Sequence, residues 1–248
     1  MARPRTLPRF RTRRLPLARS MATAVRWPVG VALTSWRYMW RTTPFNRSEV
    51  HGSWHEDGPP RLPDGLVDRD VQDWRHGTGP LFHRRYLARI RDPRVTPEAL
   101  MARLHRNPDD AAPSEFATFK KAAGSKDGMR PGDEYVVRMP GPWDGPVRVF
   151  EVSPCSFGLM TLEGHLEAGQ IVFRAKGRGD QIEFEIESWA RSGDWLSDLL
   201  YDHLRMSKEI QLHMWTSFLE RVIRLSGGTR AGALRIETRR VDQVPIAD

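Results

Sequence analysis

The stretch from Trp195 to Ser226, WLSDLLYDHLRMSKEIQLHMWTSFLERVIRLS, most constrains what this chain can fold into. Leu196, Leu199, Leu200, His203, Ser207, Gln211, Met214, Phe218, Val222 and Leu225 recur at three- and four-residue steps. That spacing places them on one side of a single helix of about 30 residues. Ser192-Gly193-Asp194 caps its start and Gly227-Gly228 ends it. One helix cannot bury so long an apolar face by itself, so the rest of the chain must supply a broad apolar surface.

The segments before it read as that surface. In LFHRRYLARIRD, Phe82, Arg84, Tyr86, Ala88 and Ile90 alternate with His83, Arg85, Leu87 and Arg89, a first strand with one amphipathic face. Thr96-Pro97-Glu98 opens a short helix that Asn107-Pro108 stops. A second short helix is expected from Ser114, with Phe116 and Phe119 inward, and AAGSKDGMRPGD is a loop by composition. Then come EYVVRMP, PVRVFEV, SFGLMTLEGH, QIVFRAK and QIEFEIES. With Gly177-Arg178-Gly179-Asp180 as the loop of the last pair, Ala175 faces Ile182, Phe173 faces Phe184 and Ile171 faces Ile186. Arg174 then lies opposite Glu183, which predicts a solvated outer face carrying Glu183, Glu185 and Glu187. The order strand, two short helices, antiparallel strands and one long C-terminal helix is α+β, a helix-grip in which a curved antiparallel sheet wraps the helix.

The charge lies outside this unit. Of the net +8, residues 1 to 50 hold 11 Arg against the single acid Glu49, which leaves 28 basic against 30 acidic residues beyond them. A basic nucleic-acid face on the folded part is therefore not expected. Residues 1 to 20, with seven Arg, three Pro and no acid, read as a disordered arm, and Met21 offers an alternative start. Residues 21 to 41 read as an aromatic amphipathic helix. Its run WPVGVALTSWRYMW is too short to span a bilayer and contains Arg37. Docking on the domain and contact with a membrane surface through Trp27, Trp36 and Trp40 both stay open. Residues 42 to 78 read as a surface linker with solvated His51, His55 and His76 and no metal-ligand spacing, 79 to 227 as the domain, and 228 to 248 as a final strand or tail. The lone Cys155 excludes an internal disulfide and fits a reducing cytoplasm.

The segments GPLFHRRYLARI, AAPSEFATF, GDEYVVRMPGPWDGPVRVFEV, TLEGHLEAGQIVFRA, FEIESWARSGDWLSDLLY and LHMWTSFLERV resemble an uncharacterised family known as a domain of unknown function. It is related in fold to the START, polyketide-cyclase and birch-pollen-allergen (SRPBCC) superfamily. The resemblance covers about residues 79 to 227 and implies a sheet gripping the helix over an apolar cavity, with a lipid, sterol-like or polyketide-like partner. It carries over no catalytic residues, no cofactor and no metal.

Two functions follow as expectations. One is carriage of a hydrophobic small molecule, touched by Phe173, Phe184, Ile186, Met206, Met214, Trp215 and Phe218, or else a core that those residues fill solid. The other is a cyclase or dehydratase using Glu163 and His165, two apart on one strand face with Leu159 and Thr161, where hairpin pairing sets Glu151 opposite Leu159. The alternative for Glu163 and His165 is a structural role at the following turn. Oligomeric state is left open.

Overall fold

A computed structural model describes residues 45–113, 117–138, 144–193 and 201–245, with backbone alone for 201–210. The arm, the aromatic segment with Trp27, Trp36 and Trp40, residues 114–116, Asp194 to Leu200 and the Met206 side chain lie outside the described residues.

Within them the elements run β1 (Phe45–His51), α1 (Trp54–Asp57), β2 (Gly77–Arg91), α2 (Pro97–Arg106), β3 (Thr118–Ala123), β4 (Glu134–Arg138), β5 (Asp144–Ser153), β6 (Ser156–Thr161), β7 (Glu167–Arg178), β8 (Gln181–Gly193), α3 (Tyr201–Ser226), β9 (Thr229–Arg230) and β10 (Leu234–Val241). One sheet forms in the order β1-β10-β2-β8-β7-β6-β5-β4-β3. Every pairing is antiparallel except that of β1 with β10. The architecture is the α+β helix-grip. Phe119 sits in β3, not in a helix, and a single 3-10 turn at Pro108–Asp110 follows α2. No described helix is long and apolar enough to cross a membrane.

Alternation along each strand sorts side chains between the two sheet faces. The inner face presents Tyr86, Ala88, Ile90, Phe157, Phe173, Phe184 and Ile186 to Leu100, Met101 and Leu104 of α2 and to Leu212, Phe218, Leu219 and Val222 of α3. The Thr96 hydroxyl accepts from Ala99 N at 3.2 Å, with Pro97 in the first turn, so α2 begins where its cap allows.

The outer face is also covered. Leu81, Phe150, Met160, Val172, Trp189 and Val241 form a second apolar cluster beneath Val71, Trp54, Leu62, Leu66 and Trp74. The stretch read as a surface linker thus includes a strand, β1, and a belt over this cluster. Arg148 fastens the belt by donating to Leu66 O at 3.0 Å and pairing with Asp68 at 3.0 Å and Glu134 at 2.7 Å. Gln72 donates to His165 O at 2.9 Å, and Thr161 Oγ1 donates to Gln72 O at 2.6 Å.

The β7–β8 register differs from the expected one by two residues. Arg178 pairs with Gln181, leaving only Gly179-Asp180 in the turn, so Phe173 faces Ile186, Ala175 faces Phe184 and Arg174 faces Glu185. Gly179 has φ +62, the left-handed backbone that lets two residues close a tight hairpin. A slip of two preserves which side chains point inward. In the β5–β6 hairpin a bulge between Val149 and Glu151 sets Glu151 opposite Gly158, and Leu159 pairs with Val149 instead.

Candidate ligand-binding site

The inner face has two unlike ends. Beneath the second half of α3 it is filled with rings: Phe157 stacks on Phe173 at 4.5 Å, and Phe173 meets Phe218 at 5.4 Å and Trp215 at 5.6 Å. Phe173, Phe184, Ile186 and Phe218 are fully buried in this cluster. Met214 is buried beside Ala117, with Val137 and the half-buried Trp215 against them, where α3 crosses the β3–β4 side.

The other end is polar. Arg84 projects from β2 on the same face as Tyr86, and its side chain is 9% exposed. The guanidinium lies over the Phe82 ring at 4.8 Å. Its Nη1 approaches Gln211 Oε1 at 3.3 Å and Glu167 Oε1 at 3.7 Å. A small pocket opens beside it, lined by Arg84, Tyr86, Leu212, Ile236 and Thr238 and, from the exposed strand β1, by Arg47 and Glu49. No sequence reading singled out Arg84. Its signal was a charged residue on the apolar side of the first strand, between Phe82 and Tyr86.

Glu163 and His165 do not share a strand face. β6 ends at Thr161, and Gly164 at φ +92 turns the chain, so Glu163 is exposed while His165 folds back. His165 Nδ1 accepts from Glu167 N at 3.0 Å, and a Cβ on Gly145 would lie 2.9 Å from its Nε2, so the ring rests directly on that glycine. Burial pushes the His165 pKa below the usual imidazole value, although nearby Glu167 pulls the other way.

Glu183, Glu185 and Glu187 are not solvated. Their side chains are 15%, 16% and 15% exposed. Glu183 pairs with Arg178 at 3.2 Å and Arg89 at 3.4 Å, and Glu185 pairs with Arg85 at 2.5 Å. Glu187 is held by Arg174 and by His83 Nε2 at 2.8 Å. Arginines on both neighbouring strands close over the acidic row, which a reading of β7 and β8 alone could not show. Burial would raise the Glu187 carboxyl, but hydrogen bonds from His83 and Arg174, with their charges, hold it below the usual carboxylate value.

His83 itself is stacked on Trp189 at 5.0 Å and an 8° angle, with Nδ1 2.9 Å from Asp57 Oδ1. Among the described residues no group of three or more His, Cys, Asp or Glu side chains is arranged to hold a metal ion.

Residues 114–222 match a family model described as a domain of unknown function (DUF1990). That match bears out the resemblance to an uncharacterised family. No curated protein matches the chain. Similar solved structures include a conserved protein from Geobacillus kaustophilus, at 10% identity over 60% of this chain and 99% of that one, with a TM-score of 0.42. Norcoclaurine synthase from Thalictrum flavum, in complex with dopamine and hydroxybenzaldehyde, is similar at 10% identity over 67% and 95%, with a TM-score of 0.42. Major latex-like protein 151 from Panax ginseng is similar at 14% identity over 54% and 98%, with a TM-score of 0.32.

Proposed function

We propose that this chain binds a hydrophobic small molecule between the inner face of its sheet and the first half of α3. The observation that carries the reading is the uneven filling of that face. Rings occupy it beneath the second half of the helix, whereas the end at Arg84 holds a pocket bordered by Tyr86, Leu212 and Ile236. Ligand sites are concave and mostly apolar, with few polar groups to fix orientation. In this reading Phe173, Phe184, Ile186 and Phe218 form the solid floor that bounds the site, Leu212 is its wall on α3, and Met214 and Trp215 pack beyond it toward β3 and β4.

The test is native mass spectrometry of the full chain purified from its own source, together with titration of the neutral probe N-phenyl-1-naphthylamine. A retained apolar mass, or saturable probe binding that Leu212→Ala weakens about tenfold, supports the proposal. Bare protein that also fails to bind the probe saturably ends it.

A further inference from the structure

We propose that Arg84 is the recognition group for a carboxylate, so that the hydrophobic ligand of the preceding reading, on which this inference rests, is a monocarboxylic amphiphile. An arginine nine-tenths buried on the apolar face of a sheet is costly to place there unless its charge is met. The partners that Arg84 has are incomplete. Both Gln211 Oε1, at 3.3 Å, and Glu167 Oε1, at 3.7 Å, lie on Nη1, and Phe82 takes the guanidinium face. The Nε and Nη2 edge has no hydrogen-bond partner among the described residues. That edge is the two-pronged side that binds a carboxylate in parallel N–H···O bonds.

The surrounding charge selects a single negative charge over a double one. Glu167 lies against the same guanidinium, and the pocket's other cation, Arg47, already faces Glu49 at 3.6 Å. A dianionic phosphate would meet two nearby carboxylates with one committed arginine and one shared. Tyr86, Leu212 and Ile236 give the pocket an apolar wall beside the charged edge, the surface an alkyl or ring body attached to the carboxylate would cover.

The experiment compares decanoate, decanol and decyl phosphate, titrated against the full chain by displacement of N-phenyl-1-naphthylamine. Decanoate is expected to bind about tenfold more tightly than decanol. Arg84→Gln should erase that preference while leaving decanol affinity unchanged. Glu167→Gln, which removes the competing acid, should strengthen decanoate several-fold and serves if Arg84→Gln does not fold. Equal affinity for decanoate and decanol, or a preference that survives Arg84→Gln, overturns the carboxylate assignment and leaves the hydrophobic-ligand reading standing. Decyl phosphate binding more tightly than decanoate overturns it as well. Failure of the chain to bind decanoate, decanol and the probe overturns both.

Discussion

His83 has a carboxylate on each ring nitrogen, Asp57 at 2.9 Å and Glu187 at 2.8 Å, so neither nitrogen is left to face a substrate. The ring acts as a fastener between α1 and the sheet, because Asp57 belongs to the belt and Glu187 to β8. His83→Phe would keep the stack on Trp189 but leave two nearly buried acids facing an apolar ring. The expected loss is about 3 kcal/mol in urea unfolding; an unchanged midpoint would show that the histidine fastens nothing. Glu187 and His165 are among the groups that set the acid limb of stability. Glu187 is depressed in the folded state, so its contribution is present above the ordinary value of 4.5 and disappears as pH falls through its lower folded value. His165 is a base whose folded value is also lowered, by burial, so the unfolded chain binds the proton first. Stability should therefore fall as pH drops below the ordinary imidazole value of 6.5. Unfolding midpoints measured across pH should show both steps. His165→Gln should reduce the upper step, to which the half-buried His105 also contributes, and Glu187→Gln the lower, which Asp68 shares.

At the scale of elements, the strand faces were legible in the sequence and the pairings were not. Period-two alternation assigns Phe173, Phe184 and Ile186 inward whether the β7–β8 loop holds four residues or two. Loop length alone decides the register, and Gly179 at φ +62 permits the tighter form. The Glu151 position failed for a related reason. A bulge leaves no trace in a hydrophobic pattern, and only the observed pairing reveals it. Two glycines separate backbone conformation from space. A Cβ at Gly179 would meet nothing within 4 Å, so Gly179→Ala should cost only the strain of its left-handed backbone, about 1 kcal/mol. A Cβ at Gly169 would lie 2.0 Å from Trp189 O, the carbonyl of the adjacent strand. Gly169→Ala must push β7 and β8 apart and should cost about 3 kcal/mol or more, as overpacking of a rigid neighbour does. Urea midpoints of the two variants compare the effects directly; equal losses would mean that the strands separate without penalty.

Across the whole molecule, the central strands of the sheet are buried on both faces, and this is the feature that the sequence shows least directly. The long helix announces the inner layer by its own periodicity. The outer layer is assembled from single residues: Trp189 among the acids of β8, Leu81 on the mostly polar face of β2, and Met160 in β6. One local sign existed. FGLM in β6 is a continuous apolar run rather than an alternating one, as a strand buried on both sides requires. The belt has a composition of Pro, Gly, Asp and His because it runs as irregular chain and short turns. Its Trp54 and Trp74, with rings 4.6 Å apart, carry the burial that its composition conceals. Arg84 escaped notice for a comparable reason, since a single charge on an apolar face acquires meaning only when the helix residue Gln211 and the turn-proximal Glu167 converge on it. A chain beginning at Gly77 keeps β2 to β10 and α3 but loses the belt, and with it the cover of Leu81, Phe150, Met160, Val172 and Trp189. So large an exposed apolar patch drives association or loosens the sheet. That chain is expected to bind 1-anilinonaphthalene-8-sulfonate strongly and to unfold at lower urea than the full chain. If the Gly77 chain instead remained monomeric with the urea midpoint of the full chain, the belt would be an ornament on the sheet and the inner grip alone would hold the fold.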